Sequence, residues 1–229
     1  RPPRTWKELE EYSRKLTQRD KKGRITRLGF APIYGNAGLF MYGFLNGGEF
    51  MNADQTKVTL TDPKLIKALQ WMTDFCQEYG MEELDRFSTG FGNDAFYPFV
   101  SGKFSMDCQE GYLVSLIKQY NPGLEYRTAP MPWPEDGHRA SWNGGFAFVF
   151  PVGSKQHEGA LKFVEYMVSV KAQIKNGKMC DQIPAVGPAA ADDYFMKDQY
   201  FRGFIDEMPY TRIRPVSVVS SMMYDELFR

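Results

Sequence analysis

Apolar residues recur at helical spacing in several stretches of the chain. Leu65, Leu69, Met72, Cys76 and Tyr79 fall at i, i+4, i+7, i+11 and i+14, which predicts an amphipathic helix. Thr61-Asp62-Pro63 supplies its start, with Asp62 as the cap and Pro63 in the first turn, where a missing N–H costs nothing. Gly80 supplies a left-handed stop. Thr5-Trp6-Lys7-Glu8 reads as a capping box, and Trp6, Leu9, Ser13 and Leu16 continue from it at the same period until the turn at Lys21-Lys22-Gly23. Further helices are expected over 36–45, closed by Asn46-Gly47-Gly48, and over 93–101 and 112–120. Another begins after Ser154, with Ala160, Leu161, Val164, Met167 and Val168 on its core face, and two more run roughly over 189–207 and 216–229. Strands are expected at Leu28–Ala31, Lys103–Cys108 and Glu125–Ala129. Phe146–Phe150 is continuously apolar, as in a strand buried on both faces. Pro130-Met131-Pro132-Trp133-Pro134 and the segment from Gln182 to Pro188 are stiff extended connectors. Strands alternating with helices predict an α/β fold.

Composition narrows the function. The 229 residues carry 28 Lys+Arg and 28 Asp+Glu, so the basic excess of a nucleic-acid binder is missing, as is a basic face for a membrane surface. The longest apolar run, Gly144 to Gly153, is too short for a bilayer, which needs about 20 residues. The chain opens Arg1-Pro2-Pro3 without an initiator Met and reads as a mature or trimmed piece. Cys76, Cys108 and Cys180 show neither zinc nor disulfide spacing and read as small buried hydrophobes. His138 and His157 have no nucleophile motif beside them, and neither GxSxG nor a P-loop occurs. Gly90-Phe91-Gly92-Asn93-Asp94-Ala95 spells GxGxxA, but a charged segment precedes it instead of a core strand. Asn52 to Thr56 begins like a calcium loop, yet Lys57 occupies the position that needs glycine. The acidic pairs Glu82-Glu83, Glu135-Asp136 and Asp192-Asp193 are adjacent residues that do not face one cleft and read as solvated charge. No catalytic residue, metal ligand or cofactor is expected.

Aromatics make up 15% of the chain, and some stand beside amides and glycines where strands meet other elements. These are Tyr34-Gly35-Asn36, Gln109-Glu110-Gly111-Tyr112 and Trp142-Asn143-Gly144-Gly145. Ligands of open α/β sheets bind at strand ends, and glycine lets the backbone approach them. An aromatic face suits the C–H face of a sugar, while amides and carboxylates suit its hydroxyls. The competing reading is that Tyr112 and Trp142 are ordinary core aromatics.

Several stretches in this order resemble the extracellular solute-binding proteins of sugar ABC transporters, the maltose-binding-protein-like family. Pro3 to Leu9 is similar to its P-x-T-W-x-E-L helix start, and Leu28-Gly29-Phe30 with Asn46-Gly47-Gly48 to its strand, helix and glycine turn. Phe99 to Met106 is similar to F-x-x-G-K-x-A-M, and Tyr126 to Pro132 to the Y-x-x-A-P-x-P crossover. Gly144-Gly145, Ser154-Lys155 and Glu158 to Phe163 are similar to the G-G strand and the helix after it. The resemblance implies a type II periplasmic-binding-protein-like fold of two α/β lobes, here a fragment lacking the N-terminal part of lobe one. Residues 1–129 would belong to lobe two, 130–182 to lobe one, and 183–229 to lobe two again, stopping early in the last helices. It implies a non-enzymatic receptor that captures a sugar or oligosaccharide between lobes by hinge closure. The intact receptor would be a monomer outside the cytoplasm, lipid-anchored at its N-terminus, delivering to ABC permease subunits. Carried over position by position, the binding candidates are Asn36, Phe40, Glu110, Tyr112, Trp142, Asn143, Gly144, Gly145 and Arg214. The alternatives are a glycan-active enzyme using the same cleft, or a binder of peptides or anions on the same scaffold. The strand Phe146–Phe150 is expected to expose apolar surface in such a fragment, because its partner strands would be absent.

Overall fold

Thr5 caps the first helix as the capping pattern predicts, in a computed structural model that describes residues 1–227. In chain order the elements begin with α1 (Trp6–Leu16), β1 (Gln18–Arg19), β2 (Ile25–Arg27), α2 (Gly38–Leu45), α3 (Pro63–Tyr79) and α4 (Met81–Ser88). After a 3-10 turn at Asp94–Phe96 come α5 (Tyr112–Tyr120), β3 (Ser141–Asn143), α6 (His157–Met167), α7 (Val170–Cys180) and α8 (Gly187–Ala190). The chain continues through α9 (Asp193–Lys197), α10 (Gln199–Ile205), β4 (Thr211–Ile213) and α11 (Ser220–Leu227). Two compact units result. One comprises Arg1–Gln109, Ala129–Asn143 and the segment from Pro209, and the other comprises Glu110–Thr128 and Gly144–Met208. Their boundaries run through the expected lobe segments, with 110–128 and 183–208 grouped beside 144–182.

The first unit is built on α1 and α3. The Thr5 hydroxyl accepts the Glu8 N–H at 3.2 Å, which meets one of the helix's orphan donors, and the Glu8 carboxylate accepts the N–H of Arg4, just before the cap, at 2.8 Å. Trp6, Leu9 and Ser13 face inward, while Leu16 at the last position of the helix is exposed. In α3 the Asp62 carboxylate accepts the Lys64 N–H at 2.7 Å. Leu65, Ala68, Met72, Phe75, Cys76 and Tyr79 are buried. Leu69, expected on that face, is half exposed because Ala68 and Phe75 take the central positions. Gly80 has the expected positive φ (+82°) but an extended ψ of 124°, since α4 starts at the next residue.

Ser13 belongs in this apolar stripe because its hydroxyl is satisfied, donating to the Phe30 carbonyl at 2.9 Å and bonded to the Tyr79 hydroxyl at 2.7 Å. The segments 28–31 and 103–108, expected as strands, run side by side but form one isolated bridge and no strand. Leu28 N–H donates to Lys103 O (2.8 Å), Ser105 N–H to Leu28 O (2.9 Å) and Met106 N–H to Gly29 O (2.9 Å). They pair as a parallel bridge, Leu28 with Phe104. Gly29 lies against α1 so closely that a Cβ would sit 2.2 Å from the Ser13 carbonyl oxygen. Trp6, Phe30, Phe40, Tyr42, Phe44, Phe50, Phe75, Tyr79, Phe87 and Phe104 are buried in the same core.

The remaining elements depart from the sequence pattern for local reasons. The helix expected over 93–101 shrinks to one 3-10 turn, because Pro98 forces Tyr97 into an extended conformation (ψ 134°). The segment 189–207 breaks into α8, α9 and α10. Asp192 and Asp198 each take an extended ψ and cap a new start, accepting N–H groups from Tyr194 and from Tyr200 and Phe201. The last helix begins at Ser220, not Val216, because the Pro215 carbonyl accepts the Ser220 and Tyr224 hydroxyls and holds a turn. Phe228 and Arg229, the end of that expected segment, lie outside the described residues. Glu125–Ala129 forms no strand.

In the second unit Val114, Phe195 and Phe201 form a small core, and the Lys118 ammonium lies 5.0 Å from the Phe201 ring centre. Phe146–Phe150, expected buried on both faces, is unpaired and exposed among the described residues, with Phe146 fully open. On the expected core face of α6 Leu161 and Val168 are exposed and Ala160, Val164 and Met167 are half-buried, and the helix starts at His157, not at Ser154. Cys76 and Cys108 are buried as expected, but Cys180 is exposed.

The close approach at Gly29 predicts that Gly29→Ala lowers stability by about 1–3 kcal/mol through overpacking against α1 backbone. Gly123→Ala is the control, since a Cβ there meets nothing within 4 Å. Urea midpoints of the two variants measure the difference; equal midpoints would show that the seam yields freely.

Candidate functional site

The first unit brings Asn36, Phe40, Trp142 and Arg214 together. The chain between the 28–31 segment and α2 turns at Gly35, where φ is +79°. A Cβ there would lie 2.4 Å from the Cys108 carbonyl oxygen and 2.6 Å from the Asp107 carboxylate, so only glycine fits. This close pass sets Asn36, whose N–H donates to Cys108 O at 2.8 Å. Its carbonyl accepts the Trp142 Nε1–H at 2.9 Å. Trp142 and Asn143 lie on β3, which pairs in parallel with β4 so that Trp142 stands opposite Arg212. Trp142 is half-buried and Asn143 is exposed.

Arg214 comes directly after β4. Its guanidinium carbon lies 4.5 Å from the Trp142 ring centre, 5.5 Å from Tyr224 and 5.9 Å from Phe40. Phe40 is buried and meets Tyr224 edge-to-face at 5.4 Å and Phe50 at 4.5 Å, so it backs the cluster from the core. The Tyr224 hydroxyl donates to Pro215 O at 2.8 Å. Both polar rings are therefore held by hydrogen bonds to backbone.

Glu110, Tyr112, Gly144 and Gly145 belong to the second unit. Glu110 is exposed, and its carbonyl accepts the Leu113 N–H at 3.1 Å. Tyr112 is half-buried at the first position of α5. Gly144 and Gly145 are exposed, and a Cβ on Gly145 would meet nothing within 4 Å.

Sequence reasoning missed Tyr224, which looked like one more residue of a weakly patterned final helix. It also missed Asp107. The Asp107 carboxylate accepts the Tyr97 hydroxyl at 2.6 Å, and Gln109 Nε2 donates to the same hydroxyl at 2.6 Å. Burial pushes the Asp107 carboxyl up to about 6, against the opposing pull of the Tyr97 hydroxyl and the Cys108 N–H. Its sequence signal was a lone acid within an otherwise apolar strand pattern.

These features can be set beside known proteins. Residues 1–174 match the family model of the bacterial extracellular solute-binding proteins, and the chain belongs to that family. Among solved structures, CpMnBP1 with mannobiose bound is 26% identical, with a TM-score of 0.86 over 99% of this chain and 58% of its own. An ABC transporter solute-binding protein from Thermotoga lettingae, bound to α-D-tagatose, is 23% identical with a TM-score of 0.76, again over 99% and 58%. The maltose/maltodextrin-binding domain from Bdellovibrio bacteriovorus, bound to maltotriose, is 20% identical with a TM-score of 0.73 over 99% and 60%. The last two carry the fold alone. The chain spans about three-fifths of the length of these structures. The fold is thus that of the two-lobe, helix-rich α/β binding proteins, represented here in part. Among the described residues no helix is long and apolar enough to cross a membrane.

A raised carboxyl pKa favours the folded state while the group is protonated. That contribution is complete below the unfolded value near 4 and is lost as pH rises through about 6. Asp107→Asn should therefore stabilise the protein at pH 7.5, by on the order of 2 kcal/mol for this half-buried group, and change little at pH 4. Thermal melts of both proteins between pH 4 and 8 measure this; a constant gap between the curves would refute it.

Proposed function

We propose that the protein is the sugar-capturing receptor of an ABC importer, taking up a sugar or oligosaccharide outside the cytoplasm and passing it to permease subunits. The observation that carries this reading is the aromatic wall at Trp142. The indole is pinned to Asn36 through its N–H, so its orientation is set before any ligand arrives. A fixed, half-buried aromatic edge beside an exposed amide, Asn143, offers an apolar surface for sugar C–H groups and a donor–acceptor pair for hydroxyls. CpMnBP1, similar over nearly the whole of this chain, holds mannobiose. In the second unit Tyr112, Glu110, Gly144 and Gly145 are kept as candidates on the family resemblance, an aromatic and a carboxylate with glycines that allow backbone approach.

In this reading the protein binds without catalysis. The intact receptor is a monomer held at the membrane by an N-terminal lipid, and closure around the ligand creates the form the permease recognises. Micromolar capture corresponds to about 8 kcal/mol of net binding. Titration calorimetry with mannobiose, tagatose and maltotriose tests the site. Trp142→Ala and Tyr112→Ala should each weaken the best ligand at least roughly tenfold, about 1.4 kcal/mol. Unchanged affinity in both variants removes the assignment, and release of shortened sugar would show an enzyme instead.

A further inference from the structure

We propose that the sugar taken by this site carries a carboxylate, and that Arg214 is the group that receives it; the inference rests on the sugar-capture reading above. Arg214 is half-buried, with its guanidinium among the rings of Trp142, Tyr224 and Phe40 at 4.5, 5.5 and 5.9 Å. The Trp142 N–H and the Tyr224 hydroxyl are both committed to backbone carbonyls. Aromatic faces steady a cation, but they accept few of its hydrogen bonds.

Among the described residues the Arg214 side chain has no carboxylate within 4 Å and makes no hydrogen bond to protein. Four other arginines differ. Arg212, two residues earlier on the same strand, pairs with Glu49 at 3.5 Å, and Arg202 pairs with Asp206 at 2.8 Å. Arg14 and Arg86 are held by Glu78 and Glu83. A guanidinium presents five N–H donors in a rigid planar fork that matches a carboxylate with two parallel bonds. Held 4.5 Å from the Trp142 ring centre, the guanidinium is steadied by the aromatic ring, which lowers the entropy lost on engaging an anion. A vicinal diol could occupy the same donors, but it would leave a partly desolvated charge without a counter-ion. A uronic-acid residue supplies the anion together with the sugar C–H face that the aromatic wall suits.

The test compares matched neutral and acidic ligands by titration calorimetry on the purified protein. Mannobiose is paired with the mannuronate disaccharide, and digalactose with digalacturonate. The wild type should bind the acidic member of a pair at least roughly tenfold tighter, with an advantage that shrinks between 20 and 500 mM salt. Arg214→Gln should weaken the acidic member at least roughly tenfold more than the neutral one, while Arg214→Lys keeps part of the preference because charge remains but the fork is lost. Circular dichroism confirms that the variants are folded, and the wild-type preference stands as a test even if they are not. Neutral sugars bound as tightly as their uronates, or an equal loss for both in Arg214→Gln, would overturn the proposal and leave sugar capture intact. Binding of neither series would remove both.

Discussion

The first unit depends on one close approach, the passage of Gly29 across α1 at Ser13. The missing Cβ lets the 28–30 backbone lie against the helix, where a methyl would sit 2.2 Å from the Ser13 carbonyl oxygen. Three polar groups make that dry contact tolerable. Ser13 donates to Phe30 O, the Gly29 N–H donates to the Thr17 hydroxyl at 2.9 Å, and Thr17 donates in turn to Ser13 O at 2.8 Å. Each buried donor is satisfied locally, so the seam escapes most of the cost of placing backbone and serine in an aromatic core.

Later segments of the chain inherit this seam. The other side of the 28–30 segment is hydrogen-bonded to residues 103–106, which lead to Asp107 and Cys108. Those two residues set the Gly35 turn, Gly35 sets Asn36, and Asn36 holds Trp142. The candidate wall is therefore fixed by a relay of backbone contacts that starts at α1. Such a relay suits a binding surface, because it pre-orders the aromatic groups without calling on ligand binding energy.

Apolar surface without a partner has the opposite consequence in the second unit. Phe146–Phe150 and the outer face of α6 keep the composition of a buried layer, yet they are exposed among the described residues. Strand-forming residues become a strand only when a neighbour accepts their ladder bonds. The matched structures are longer, and this chain covers about three-fifths of them. An apolar strand pattern is thus a statement about the environment a segment requires, and the segment alone does not create it.

Sequence by itself determined the elements whose signals are local. The caps at Thr5 and Asp62, the amphipathic run of α3, the positive φ at Gly80 and the helix at 112–120 each depend on residues a few positions apart. The family motifs were legible for the same reason, as short runs in a fixed order. Tertiary structure decided the rest. It turned Leu69 outward in favour of Ala68 and Phe75, cut the segment 189–207 at Asp192 and Asp198, and set Tyr224 against Phe40 across most of the chain. It also gathered Asn36, Trp142 and Arg214, and set Asp107 against the Tyr97 hydroxyl. Those outcomes rest on burial and on partners distant in sequence, and periodicity contains no information about which distant residue will arrive.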